Sequence, residues 1–190
     1  TIALSGYPGA VHLSMPVDIM FSSFAADAMR DERPWDRSNR KPARAWPAPD
    51  DLAEVLGVIS SASKPMIIAG HGVWWSGAEK QLEAVALSHN IPVFNVPYHQ
   101  KLLSEACDAY MGLADVHQYH PSKDALEKTD VVIMIGARLD NQMNFGNAPL
   151  FPDTLKLICV NGSHEELEMN RSADIGLLSD PGAFLDALSG

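Results

Sequence analysis

The stretch Thr129–Gly146, TDVVIMIGARLDNQMNFG, contains the most apolar run of the chain. Val131–Ile135 are five apolar residues in succession, without the polar residue at every second position that a half-exposed strand would show. A short run of this kind predicts a strand that is covered on both faces. Strands covered on both faces are typical of parallel sheets with helices packed on either side.

Strand and helix signals alternate through the rest of the chain from about residue 50. Further strands are expected in KPMIIAG at 64–70, PVFNV at 92–96, KLICV at 156–160, and near 175–178. Helices are expected from Asp50 as an N-cap, over 78–88, near 122–128, from about Glu165, and over 181–188 with Asp180 as N-cap. The alternation predicts an α/β fold, a doubly wound, mostly parallel, Rossmann-like sheet with helices on both faces.

The first 49 residues follow a different pattern. Val11, Leu13, Met15 and Val17 alternate with other residues and predict a strand with Pro16 at its exit. Residues 21–49 are rich in proline and basic side chains and are typical of a linker, which is either a solvated connector or an anion site. The basic residues are Arg30, Arg33, Arg37, Arg40, Lys41 and Arg44. Because the chain opens at Thr1 rather than Met, we expect it to be cut from a longer protein.

Composition argues against several classes of partner. The chain has 190 residues, 46% of them hydrophobic, enough for one domain with an appendage. Its formal charge of −10 disfavours nucleic acid and anionic membranes, and no apolar run or leader pattern indicates membrane insertion or secretion. Cys107 and Cys159 lack zinc-site or disulfide spacing, so we expect a reducing, cytoplasmic location.

The turns after the strands are the expected ligand sites, because open parallel sheets bind ligands beyond the carboxyl ends of their strands. Gly70 and Gly72, in AGHGVWWSG, either form a tight turn or let a phosphate approach the backbone. Their spacing is not G-x-G-x-x-G, and no carboxylate ends PVFNV, which disfavours a nicotinamide dehydrogenase.

Two further turns carry candidate polar contacts. Arg138 follows the most apolar strand and either binds a phosphate or carboxylate or pairs with an acid such as Asp140. Asn161 ends KLICV and either bonds a ribose hydroxyl or caps the next turn. His117 and His120, in DVHQYHP, leave open a self-contained hydrolase, although no G-x-S-x-G or H-E-x-x-H motif accompanies them.

A family resemblance runs through nearly the whole chain. The phrases that carry it are GYPGAVHLSMPVDIM, KPMIIAGHGVWWSGAEKQLEAVA, IPVFNV, TDVVIMIGARLDNQMNFG and LKLICVNGSHEELEMN. Together they resemble thiamine-diphosphate enzymes of the acetolactate synthase, oxalyl-CoA decarboxylase and 2-hydroxyacyl-CoA lyase group, with GARLD…NFG closest to the last two. The resemblance implies that 1–20 is the tail of a pyrimidine-binding domain, 21–49 a linker and 50–190 the central domain.

The resemblance also implies what the parent enzyme needs from elsewhere. Such enzymes hold thiamine diphosphate through magnesium with a GDG motif and a downstream Asn in a third domain, and use a Glu in the first. Neither the GDG motif nor that Glu is found here. We therefore expect a domain that is not catalytic alone, whose partners are the remaining pyrimidine- and diphosphate-binding domains of a homo-oligomeric parent.

Central domains of this group hold FAD, ADP or nothing. Carried over by motif, the cofactor-binding candidates are Gly70, His71, Gly72, Arg138 and Asn161. His71 stands where the ADP-binding pattern has Lys, and Asn161 stands where it has Asp, which weakens the case for ADP or a CoA-ADP moiety. FAD is disfavoured because GLADVHQYHP departs from the Gly-Met-His-Gly phrase of the flavin-binding branch. The alternative interpretation is an autonomous Rossmann-like nucleotide-binding module.

Overall fold

The computed structural model describes residues 3, 8–23, 25, 43–97 and 101–189. The chain divides into two units, Thr1–Ala43 and Arg44–Gly190. The second unit contains one six-stranded, all-parallel sheet in the order β3-β2-β1-β4-β5-β6. Its strands are β1 (Pro65–Ala69), β2 (Val93–Asn95), β3 (Tyr110–Leu113), β4 (Val131–Ile135), β5 (Lys156–Asn161) and β6 (Ile175–Leu178).

Seven α-helices are assigned in the described part of the chain. They are α1 (Val17–Met20), α2 (Pro49–Ser61), α3 (His71–Ser76), α4 (Glu79–His89), α5 (His120–Leu126), α6 (His164–Leu167) and α7 (Pro181–Ser189). A 3₁₀ segment, Asn141–Gly146, follows β4. The chain adds strands on one side of β1 as far as β3, then returns to add β4, β5 and β6 on the other. The predicted doubly wound α/β fold is confirmed.

The central strand β4 is buried along its whole length, as its apolar run predicts. Val131, Ile133 and Ile135 join the core beneath α2, α3, α4 and α7. Val132 and Met134 join the second core beneath α5 and α6. Helices therefore cover both faces of the sheet, and burial of this strand excludes water from its ladder bonds on both sides.

The sequence pattern did not predict two elements of the second unit, and the predicted N-cap of helix α2 was wrong. Strand β3 is only four residues long and helix α3 only six, so neither is long enough to show a clear period. Helix α2 begins at Pro49 with Ala48 as N-cap, so Asp50 lies in the first turn and is not the cap. Proline suits that first position because its missing N–H would have no helical partner there.

The predicted strand at Val11–Val17 is wrong. Described residues 8–16 form no strand, and the short helix α1 begins at Val17, directly after Pro16. Alternation supplies a face but no hydrogen-bonding partner, and without a neighbouring strand the backbone gains no ladder bonds. The predicted linker lies mostly outside the described residues, including all of its listed basic residues except Arg44.

Arg44 and Ala45, the first residues of the second unit, are hydrogen-bonded to later parts of that unit. The Arg44 Nη2 atom donates to the Ser76 carbonyl at 2.9 Å, and the Asp180 amide donates to the Ala45 carbonyl at 2.9 Å. Asp180 also accepts from the Ala183 amide at 3.0 Å, which confirms it as the predicted cap of α7. The same carboxylate accepts from the Ser76 hydroxyl at 2.8 Å. Asp180 thus joins the N-terminal end of this unit to α3 and α7.

Three glycines bring the turns after β1 and β4 into direct backbone contact. The Gly70 amide donates to the Ile135 carbonyl and the Gly72 amide to the Gly136 carbonyl, each at 3.0 Å. A Cβ added to Gly72 would lie 2.6 Å from the Gly136 Cα atom, and Gly136 itself has a left-handed φ of 56°. Only glycine fits this approach, because the obstructing atoms are backbone and cannot move aside.

We expect Gly72→Ala to lower the free energy of unfolding by about 1–3 kcal/mol or more, because the new methyl group forces the two turns apart. Gly57→Ala is the matched control, since no atom lies within 4 Å of the added Cβ in helix α2. That change should be neutral or stabilising by up to about 1 kcal/mol. Urea unfolding of both variants checks the prediction, and equal effects would show that the glycine contact is not tight.

Candidate functional site

The candidate residues lie side by side at the carboxyl edge of the sheet. Ala69, Ile135 and Val160 are in register across β1, β4 and β5. The ends of these strands therefore adjoin one another: Gly70 to Gly72 follow β1, Arg138 follows β4, and Asn161 is the last residue of β5. The reversal of strand order between β1 and β4 falls at the first two of these ends. Open α/β sheets bind ligands at this position.

The glycine turn uses its amides within the protein. Helix α3 begins at His71, and of its first amides Gly72 donates to Gly136 and Val73 to the Gly70 carbonyl at 3.1 Å. In dinucleotide-binding folds, amides at this place point at a diphosphate. The His71 ring lies beside Trp74, with 6.4 Å between ring centroids. The Gly72 and Val73 amides are therefore already used and would not be available to an anion bound here.

Arg138 pairs with Glu166 and not with Asp140. The Arg138 Nε atom is 2.6 Å from Glu166 Oε2, and the Glu166 side chain is only 8% exposed whereas Arg138 is 45% exposed. Asp140 instead accepts from the Gln142 amide at 3.1 Å, which caps the 3₁₀ segment. Sequence reasoning missed Glu166 because it lies in the next crossover, on α6, and only the parallel pairing of β4 with β5 brings it to Arg138.

Two buried polar atoms on the β5–α6 connection have unused hydrogen-bonding capacity. Asn161 is 2% exposed, and its Oδ1 accepts from the Ser163 amide at 3.3 Å, but its Nδ2 has no hydrogen-bond partner among the described residues. Glu166 Oε2 is buried and likewise accepts no hydrogen bond there beyond its ion pair with Arg138. Buried groups of this kind are infrequent in proteins, and they mark this connection as the best-supported place for a polar ligand.

The loop after Arg138 has an unusual backbone. Asn144 and Phe145 both have left-handed φ angles, 51° and 54°, although neither is glycine. The Asn170 side chain donates to the Leu139 carbonyl at 2.6 Å and fixes the start of this loop. Strained residues persist only where their surroundings hold them, so the loop presents Arg138 on a fixed backbone.

The histidine pair does not form a hydrolytic centre. The His117 ring nitrogen Nε2 lies 2.8 Å from the Asn141 carbonyl oxygen, and its amide donates to Asp115. His120 is exposed at the start of α5. In the part of the chain that the structure describes, neither ring bonds a hydroxyl or a thiol. The arrangement fixes two turns to each other and leaves no activated nucleophile.

No group of three or more His, Cys, Asp or Glu side chains among the described residues could hold a metal ion. Cys107 and Cys159 are buried and free, and burial raises the pKa of the Cys159 thiol to about 12, so it is not a reactive thiolate. None of the described helices is long and apolar enough to cross a bilayer.

Comparison with known proteins identifies the family. Residues 52–188 match the family described as thiamine pyrophosphate enzyme, central domain. This match covers most of the chain, and the chain therefore belongs to that family. The resemblance drawn from its sequence phrases is confirmed.

Similar proteins include members of both branches of the group. The chain is 28% identical over 193 residues to a 2-hydroxyacyl-CoA lyase of Arabidopsis thaliana, covering 98% of this chain and 32% of that protein. It is 28% identical over 188 residues to an acetolactate synthase of Mycobacterium bovis, covering 98% and 29%. The chain thus spans about a third of the length of these relatives.

A solved structure shows the same fold. The thiamine diphosphate-dependent 4-hydroxybenzoylformate decarboxylase of Rhodococcus jostii superposes with a TM-score of 0.67 at 17% sequence identity. The superposition covers 80% of this chain and 29% of that one. At this identity the likeness supports the architecture of the sheet and helices, and the roles of individual side chains rest on the contacts described above.

We expect Arg138→Ala to destabilise the chain by about 1–3 kcal/mol, because it removes the positive charge beside a buried carboxylate. Adding Glu166→Gln to that variant should recover most of the loss, since the carboxylate is then gone as well. Thermal or urea unfolding of the two variants checks this, and no recovery in the double variant would contradict the proposed dependence of Glu166 on Arg138.

Proposed function

We propose that this chain is the central structural domain of a thiamine-diphosphate-dependent carboligase, lyase or decarboxylase, and that it is not catalytic alone. Family membership over residues 52–188 is the observation that carries the proposal. Thiamine diphosphate and magnesium would be bound by other parts of the parent enzyme. The match to the central domain alone, in a chain that spans about a third of the length of its relatives, supports this division of labour.

The remaining domains of the parent are the proposed partners, in a homo-oligomeric, cytoplasmic enzyme. The exposed apolar residues of the first unit support such a partner. Seven large apolar side chains between residues 11 and 21 are 52–82% exposed, namely Val11, Leu13, Met15, Val17, Ile19, Met20 and Phe21. An apolar surface this dense is rare on a protein that acts without a partner. The buried, unbonded cysteines are consistent with a reducing compartment.

A nucleotide or CoA-ADP moiety is the proposed ligand of the carboxyl edge, with Arg138 facing its phosphate, Asn161 its ribose and His71 at the rim. The Rossmann-like strand order supports this placement, as does Asn161 Nδ2, which has no hydrogen-bond partner among the described residues. Weak binding is expected, because the Gly72 amide is already used, Arg138 is already paired, and the net charge is −10. These features also disfavour FAD and an autonomous nucleotide-binding module.

Calorimetric titration of the 190-residue chain tests the proposal. Thiamine diphosphate with magnesium should give no binding, and 2-oxo acids or 2-hydroxyacyl-CoA should not be turned over. ADP should bind with a dissociation constant near ~1 mM, since one charge-assisted contact supports little more. The intact 4-hydroxybenzoylformate decarboxylase of Rhodococcus jostii provides a positive control for the titration with thiamine diphosphate.

Two outcomes would contradict the proposal. Magnesium-dependent, micromolar binding of thiamine diphosphate would show that the chain contains a complete diphosphate site. Flavin retained through purification would show that the carboxyl edge is a high-affinity dinucleotide site, contrary to the weak site that the used Gly72 amide implies.

A further inference from the structure

The Arg138–Glu166 ion pair places an anion of the protein itself where a ligand anion is expected. The 2.6 Å separation of Arg138 Nε and Glu166 Oε2 is that of a direct, charge-assisted contact. The Glu166 side chain is nearly buried, whereas that of Arg138 is half exposed. The contact joins the turn after β4 to helix α6.

We propose that Glu166 is an internal competitor that occupies Arg138 and thereby limits the binding of phosphate groups at the carboxyl edge. This inference rests on the proposed role of Arg138 as a phosphate contact. A phosphate that reaches Arg138 either displaces Glu166 or comes to lie close to its carboxylate. Displacement leaves the nearly buried Glu166 carboxylate without its ion pair, and close approach brings two negative charges together beside that carboxylate.

The chain favours the carboxylate over an external anion for a second reason. Glu166 is held on α6, which is attached to β5, and β5 pairs with β4 ahead of Arg138. The carboxylate therefore meets the guanidinium without the loss of translational freedom that a free ligand suffers on binding. A partner or parent domain that moves α6 would raise the affinity of this edge for phosphate.

The neighbouring acid offers a matched control. Glu165 lies on the same short helix, is exposed, and takes part in no ion pair among the described residues. Glu165→Gln and Glu166→Gln change the net charge by the same amount, and both keep the side-chain length. A difference between the two variants therefore reports the pairing with Arg138 and not the general charge of the chain.

Calorimetric titration with inorganic pyrophosphate and with ADP tests the inference on the wild-type chain, Glu166→Gln, Glu165→Gln and Arg138→Ala/Glu166→Gln. We expect Glu166→Gln to bind pyrophosphate about tenfold more tightly than the wild type, in line with the loss of one charge-assisted competitor. Glu165→Gln should change the affinity less than about twofold, as expected for screened surface charge. The Arg138→Ala/Glu166→Gln variant should not show this tighter binding of pyrophosphate.

Two results would overturn the inference. Equal affinities of Glu166→Gln and Glu165→Gln, or a gain that persists without Arg138, would show that Glu166 does not compete at that guanidinium. If Glu166→Gln fails to fold, Glu166→Met replaces it, since a buried charge can be exchanged for an apolar side chain of similar volume. A gain for pyrophosphate with no tighter binding of ADP would keep the inference and reject the nucleotide function.

Discussion

The hydrogen bond from the Gly72 amide to the Gly136 carbonyl joins the two turns at which the sheet changes its direction of growth. Close backbone contact is possible only because both residues lack a side chain. Strands β1 and β4 are thereby fixed at their carboxyl ends as well as by their ladder. Helix α3 starts directly from this contact, and Asp180 then links its far end to α7.

The same contact decides what the carboxyl edge can bind. The Gly72 amide, which in dinucleotide-binding folds lies near a diphosphate, is used here for packing, so the proposed nucleotide site would depend on the side chains of Arg138 and Asn161. Arg138 is paired with Glu166, whereas the Asn161 amide nitrogen has no partner in the described residues. These contacts suit the proposed scaffold, in which nucleotide binding is weak.

The local sequence pattern was sufficient to predict the central fold, but it was not sufficient to predict the contacts of the candidate site. The buried run Val131–Ile135 predicts β4 because burial on both faces leaves a contiguous apolar sequence. Alternation at 11–17 predicted a strand wrongly, since pairing depends on a partner that sequence spacing does not reveal. Glu166 could not be assigned to Arg138 because their contact arises from strand order, which no local pattern encodes. The spacing of Gly70 and Gly72 did not decide whether these residues serve packing or phosphate binding. The contact of Gly72 with Gly136 favours packing.

Amide hydrogen exchange at Gly72, followed by NMR with and without ADP, tests whether the two turns are locked together by the Gly72–Gly136 hydrogen bond. If the amide is bonded to the Gly136 carbonyl, it should exchange only through opening of the whole sheet, and ADP should leave its rate unchanged. Exchange that is fast in the free chain and slowed by ADP would contradict the account. It would show that the glycine amides are available to phosphate and that the two turns are not locked together.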